Sequence, residues 1–329
     1  MQEVSESMVR NEFTFPSADG KTDIHAVEWL PEETPRAVLQ ISHGVAEYIL
    51  RYEPLAEYLT ARGIAAAGHD HLGHGGSVAP GGARLYFGPK GSWNWVVDDI
   101  YTRYGLLKKR FPDIPLFLLG HSMGSFLART YLIRYPGTVD GAILMGTGQM
   151  SPALISGGRA VAALERRKVG EDQCSPLVDK LAFGAYNKRF APNRTGFDWL
   201  SLDTENVDRY IADPLCGGSA SIGLFREMLG GLRFISRPEN LKKMNANTPV
   251  LFISGGMDPV GDCGKGVQRA CRSFQRAGAR DVSIRLYPEL RHEILNEACR
   301  EDIFRDLYLW LTEKAGLPRT APAEPVETA

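Results

Sequence analysis

Residues 116–132 read LFLLGHSMGSFLARTYL: an apolar, strand-like run enters Gly120-His121-Ser122-Met123-Gly124 and leaves as an amphipathic helical segment. Both glycines lack a Cβ, so the backbone can turn sharply there and neighbouring elements can approach closely. A serine at the apex of such a turn is held off the sheet with its hydroxyl exposed. The G-x-S-x-G pattern carries weight only where a buried strand passes into a helix, and this stretch has that context. A serine alone is a weak nucleophile, so the remaining chain has to supply a base, an acid and an oxyanion site.

Working outward, NEFTF (11–15) and DIHAVEWL (23–30), joined by SADGK, predict an antiparallel edge hairpin. Buried-strand runs then alternate with helical patterns: AVLQISHG, a helix over RYEPLAEYLTAR, GIAAAGHD, a helix over residues 92–111, PLFLLGHS with its following helix, and VDGAILMG. That alternation predicts an α/β fold whose sheet is mostly parallel and covered by helices on both faces. After about residue 150 the rhythm breaks into short helices and glycine-rich loops, and it resumes at TPVLFISGG and DVSIRLYP before a last amphipathic helix over about 300–314. The expected organisation is a core of residues 1–150 and 245–316 interrupted by a helical cap, 151–244, with a disordered Pro/Ala/Glu-rich tail, 317–329.

Ligand crevices in such sheets lie at the carboxyl ends of the strands. After PLFLLG comes Ser122; after VLFISGG comes Asp258 in MDPVGDCG; after SIRLYPEL comes His292 in RHEILNE. A serine, an acid and a histidine thus follow three strands in the chain order of α/β-hydrolases. In that arrangement Ser122 attacks a carbonyl carbon, His292 accepts and returns its proton, and Asp258 fixes the imidazole. The amide of Met123, at a helix start, supplies one oxyanion donor. The loop after the third strand, ISHGVAEY, offers the second from Val45, beside the tight turn at His43-Gly44.

The chain has 329 residues, 43% hydrophobic and 23% charged, with net charge −1. This is a globular composition with no basic field for nucleic acid. No run of about 18 apolar residues could span a bilayer, and MQEVSESMVRNEF lacks the pattern of a secretory signal. Five widely spaced cysteines without C-x-x-C predict free thiols, with Cys263 and Cys271 buried, and a cytoplasmic location. His69, His71 and His74 in HDHLGH sit at a strand exit among glycines, and are expected to tie a loop to backbone partners rather than hold a metal; no cofactor is expected. GGMDPVGDCGKG lacks the spacing of a phosphate loop. Trp93 and Trp95 are expected to pack a helix on the sheet.

The segments SHGVAEYILRYEPLAEYL, HDHLGHGGS, GHSMGS, GGMDPVGDCGKGV and YPELRHEILNE resemble the monoacylglycerol lipase/lysophospholipase group of α/β-hydrolases, also described as serine aminopeptidase-like, across about residues 10–315. The resemblance implies an eight-stranded α/β-hydrolase fold, the Ser122/Asp258/His292 triad, oxyanion amides at Val45 and Met123, and a cap forming an acyl tunnel with transient membrane-surface contact. The implied activity is ester hydrolysis of monoacylglycerol or lysophospholipid. Two alternatives share the fold. One is a short-chain carboxylesterase; the other is a proline iminopeptidase-like aminopeptidase, which needs a cap carboxylate such as Glu165 or Asp208 for the substrate ammonium. The cap clusters PALI, AVAAL, IGLF and FI are expected to line an apolar pocket, beside glycines that let helices move.

Overall fold

The computed structural model describes residues 8–318, so the expected tail from residue 319 onward lies outside the described residues. The eight strands run β1 (Val9–Pro16), β2 (Asp23–Leu30), β3 (Ala37–Ser42), β4 (Ile64–His69), β5 (Leu116–His121), β6 (Gly141–Met145), β7 (Val250–Gly255) and β8 (Val282–Tyr287). They form one sheet in the order β1-β2-β4-β3-β5-β6-β7-β8. Both pairings of β2 are antiparallel and every pairing from β4 to β8 is parallel. The mostly parallel α/β fold read from the sequence is thus the one observed.

Every residue of β3, β5, β6 and β7 is buried. This is why these segments read as continuous apolar runs rather than as alternating ones. Side chains still alternate between faces. In β5, Leu116 and Leu118 enter the core under α2 (Ser92–Arg110), α3 (Met123–Arg134) and α9 (Lys265–Ala277), while Phe117 and Leu119 meet α1 (Glu53–Thr60) and α10 (Arg300–Lys314) on the other side. Edge strand β8 exposes Ser283, Ile284 and Arg285, and the arginine's charge discourages pairing with another sheet.

Between β6 and β7 lie α4 (Pro152–Val169), α5 (Pro176–Ala182), α6 (Thr204–Ala212), α7 (Ile222–Ile235) and α8 (Pro238–Leu241). Serine and aspartate caps start four of them: the Ser151, Ser175 and Ser221 hydroxyls accept amides three residues on, and the Asp203 carboxylate accepts those of Glu205 and Asn206. One expectation about this segment fails: helix α4 is 18 residues long rather than short. Two of the three glycines of α7 are close-packed, and Gly230 has open space around it. A Cβ on Gly231 would strike the Trp93 indole, and one on Gly223 would meet the Tyr86 ring. Leu224, Leu229, Leu232 and Ile235 of α7 join the same core as the sheet. Helix α9 was not read from the sequence, because its large charged face (Lys265, Arg269, Arg272, Arg276) hides a stripe of only Val267, Ala270, Cys271 and Phe274.

Candidate active site

Ser122 sits between β5 and α3 with φ 53° and ψ −120°, a conformation that L-residues avoid. Strain of this kind costs on the order of 1–3 kcal/mol and survives only where the surroundings enforce it. The flanking glycines let those surroundings come this close. A Cβ on Gly124 would run into the carbonyls of Ser42 and His43, and one on Gly120 would strike the Gly124 carbonyl. Their value is therefore close approach of the helix to β3 and β5, while the positive φ belongs to the serine itself.

Asp258 follows β7 and is fully buried; its Oδ1 accepts the Val260 amide at 2.9 Å and its Oδ2 the Ser254 hydroxyl at 3.2 Å. His292 follows β8 and places Nδ1 3.0 Å from Asp258 Oδ2. The ring N–H points off the line to that oxygen, so the contact has ion-pair distance without good hydrogen-bond alignment. Unliganded catalytic pairs are often loose in this way. Gly146, at φ 56°, leaves room for the imidazole: a Cβ there would be 3.1 Å from His292 Cε1. Trp199 lies across the ring at 5.2 Å between centroids.

The Val45 and Met123 amides donate to no backbone or side-chain acceptor among the described residues. Both residues border the cavity that holds Ser122 and His292. Val45 belongs to the loop after β3, which is pressed against Ser122: a Cβ on Gly44 would be 3.1 Å from Ser122 Cβ. Met123 is the first residue of α3, so its free amide sits at the positive end of that helix.

Behind these groups lies a buried network that the sequence did not reveal. Glu47 Oε1 accepts from the Gly44 amide (2.5 Å), Tyr52 hydroxyl (2.9 Å) and His121 Nδ1 (3.0 Å), and its Oε2 accepts from Arg51 (2.9 Å). Arg51 also holds Glu293 through two 2.7 Å bonds, and Asn206 of α6 donates to Glu293 at 2.9 Å. Burial alone would lower the pKa of His121, but the Glu47 carboxylate overrides it and holds the imidazole above its ordinary value. Two carboxylates thus share a guanidinium and an imidazole whose charged form they favour, a pairing that makes their burial tolerable. The network ties the Val45 loop, the residue before Ser122 and the residue after His292 together.

The cavity measures about 510 Å³. Phe183, Tyr186, Phe197, Trp199, Tyr210 and Met228, all from the segment between β6 and β7, line it together with Ser122. This lining departs from the expected one. Ile155 of PALI, Ala162 of AVAAL and Leu224 of IGLF are buried in packing, while Leu154 and Leu164 of α4 are 64% and 58% exposed. Glu165 is bound to Lys168 (2.5 Å) and Ser175 (2.8 Å), Asp208 to Arg194 (2.7 Å), and neither reaches the cavity. The carboxylate of this segment that does border it is Asp179 on α5, whose pKa is raised by partial burial.

Residues 33–299 match the family described as serine aminopeptidase, S33. The chain belongs to the serine aminopeptidase S33 family. Monoacylglycerol lipase of Mycolicibacterium smegmatis is 29% identical over 311 residues, 93% of this chain and 98% of that protein. Human monoglyceride lipase is 26% identical over 296 residues, 89% of this chain and 88% of that one. A thermostable carboxyl esterase from Bacillus coagulans, solved with glycerol, superposes with a TM-score of 0.85 at 27% identity, covering 94% of this chain and all of that one.

Elsewhere in this S33 family member, the HDHLGH histidines are wholly buried against His43. His71 accepts at Nε2 from or donates to the Ser42 hydroxyl at 3.0 Å, and His74 Nδ1 bonds the Leu72 carbonyl at 3.0 Å, so these two tie the loop as expected. His69 does not: neither of its ring nitrogens has a partner among the described residues. Trp93 packs α2 onto α3, donating to Thr130 at 3.1 Å. All five cysteines are free; Cys271 is buried, whereas Cys263 is partly exposed in a left-handed turn at φ 49°, against expectation.

Proposed function

We propose that this carboxylic-ester hydrolase cleaves lipid monoesters of the monoacylglycerol or lysophospholipid type through Ser122, His292 and Asp258. His292 takes the Ser122 proton as the oxygen attacks the ester carbonyl, and the Val45 and Met123 amides receive the charge that develops on the carbonyl oxygen. Collapse expels the alcohol, which leaves with the proton from His292. Water then repeats the sequence on the acyl-enzyme and frees the fatty acid. Asp258 keeps the imidazole in the tautomer that presents Nε2 to the serine.

The observation that carries the substrate class is the wall of the cavity. Six aromatic and thioether side chains line the cavity that also holds the serine. Each buried CH₂ of an acyl chain gains about 0.8 kcal/mol there. In this reading residues 151–244 form a cap, and the exposed Leu154, Leu164, Leu177 and Leu181 give it an apolar outer face for brief contact with a lipid surface. The names of the mycobacterial and human relatives point the same way. No helix among the described residues is long and apolar enough to cross a membrane.

A second reading, aminopeptidase, draws on one observation: Asp179 borders the cavity, and no basic side chain within ion-pair distance of it is found among the described residues. A substrate panel separates the two. Under the lipid reading kcat/KM on nitrophenyl esters rises from acetate toward medium chains, and a monoacylglycerol or lysophospholipid is hydrolysed. An acetate optimum would mark a short-chain esterase. Faster turnover of aminoacyl anilides would mark an aminopeptidase.

A further inference from the structure

The loop that carries Val45 is restrained more heavily than the proposed chemistry alone requires. His43 donates from Nδ1 to the Gly44 carbonyl at 2.7 Å, and its Nε2 accepts the His71 amide at 2.9 Å, which fixes the proton on Nδ1. In a trans peptide the carbonyl and the following N–H point in opposite directions. Holding the Gly44 carbonyl on His43 therefore turns the Val45 N–H away from His43 and toward the cavity that Val45 borders.

The other side of Val45 is held from a different part of the chain. Ala46 has φ 55°, left-handed for a residue with a Cβ. Its carbonyl accepts two hydrogen bonds, from the Tyr210 hydroxyl on α6 and from the Gly217 amide beyond it, both at 3.1 Å. The Tyr210 ring lies under the Arg51 guanidinium at 5.0 Å, so the tyrosine is itself fixed to the buried ion network. A residue in a sparsely populated conformation persists only where its surroundings over-determine it, and such residues cluster at working sites. Released from Tyr210, Ala46 relaxes toward ordinary φ and carries the Val45 peptide with it.

We propose that Tyr210 is a positioning residue: by holding the strained Ala46 carbonyl it presets the Val45 amide, so the oxyanion site is complete only when the α6 segment is seated on the core. The proposal rests on the reading of Val45 as an oxyanion donor. Tyr210 acts through the loop rather than through the acyl chain, so its effect persists on substrates too small to reach the aromatic wall.

The test compares Tyr210→Phe, Tyr48→Phe and wild type on nitrophenyl acetate and on its thionoester, whose sulfur is a poorer acceptor. Tyr48 bonds the same segment at Asp213 (2.8 Å) but does not touch Ala46. Tyr210→Phe is expected to lose on the order of tenfold in kcat, a fraction of the roughly 10²–10³ that follows outright loss of an oxyanion donor. KM should change little, the preference for ester over thionoester should narrow, and Tyr48→Phe should behave as wild type. Ala46→Gly, which adopts positive φ freely, should recover part of the loss when added to Tyr210→Phe. Wild-type kcat in Tyr210→Phe, or equal losses in both tyrosine variants with an unchanged ester preference, would overturn the proposal and leave the oxyanion reading standing. A wild type that does not distinguish ester from thionoester would remove the oxyanion reading, and the proposal with it.

Discussion

Acid should loosen this protein through histidines that take no part in the proposed chemistry, and His69 is the one to test. It closes β4 with no solvent exposure, edge-on to Phe15 at 5.6 Å and to His71 at 5.1 Å. Burial first, then the neighbouring charges of His43 and Arg103, push its pKa down from 6.5 to about 3; burial does the same to His74, also to about 3. The sign follows from proton counting. Between those values the unfolded chain binds a proton that the folded one refuses, so stability is present above pH 6.5 and is lost as pH falls toward 3. At pH 5, about one and a half units below the unfolded value, each histidine costs about 2 kcal/mol. Total stabilities are about 5–15 kcal/mol, so this is a large share. Asp99, raised to about 7 by burial, works in the opposite sense: the folded state keeps its proton and gains stability as pH falls from 7 toward 3.8. A single acid titration mixes these effects, and a difference experiment separates them. His69→Phe keeps an aromatic ring and removes the titration. Urea unfolding at pH 7 and pH 5, followed by circular dichroism, should show the wild type losing about 2 kcal/mol more than the variant over that interval. An identical pH dependence in both proteins would refute the argument, whatever the variant's absolute stability.

Two further outcomes test the site. A fluorophosphonate probe should label the wild type and not Ser122→Ala, and Ser122→Ala/His292→Ala should be barely slower than either single variant, because members of one catalytic unit are strongly non-additive; additive losses would separate the two residues. Arg51→Met leaves Glu47 and Glu293 facing each other without their shared cation, and should cost about 3–5 kcal/mol in chemical denaturation; a loss under about 1 kcal/mol would show that the network does not hold the loops.

What could be read in advance was whatever the chain writes locally. Buried parallel strands advertise themselves as short apolar runs, and β3, β5, β6 and β7 lie within a residue or two of where those runs predict them. Ser122, Asp258 and His292 each stand just past such a run, which is why strand ends and chain order were enough to nominate them. Helix α9 escaped because its apolar stripe is narrow and its first residues look like loop: Asp262 and Cys263 are left-handed before Gly264. The cavity wall escaped for a related reason. Clustered aliphatics such as PALI suggest a lining, yet clustered aliphatics are also what packs helix on helix. The residues that do line the cavity, Phe183, Tyr186, Phe197 and Trp199, are scattered through irregular chain where no periodicity sorts inside from outside.

The support behind the site was illegible for a deeper reason, and it bears on how the catalytic groups are held. In sequence Glu47, Arg51 and Glu293 look like surface charges, since such residues are usually solvated. Burying them is unfavourable one at a time and tolerable only together, so no single position carries a signal; the meaning lies in the pairing of segments more than 240 residues apart. Each of the three groups that must stay in register has one member of this set beside it. Glu47 takes the amide of Gly44 next to Val45, His121 precedes Ser122, and Glu293 follows His292 while its amide is tied to the Leu200 carbonyl at 2.7 Å. A polar network of this kind has few satisfied alternatives, because shifting one loop strands a buried charge. Apolar side chains could fill the same volume and would tolerate slippage by a fraction of an ångström. Slippage of that order is what the proposed nucleophile, base and oxyanion donor, carried on three separate loops, could not accept.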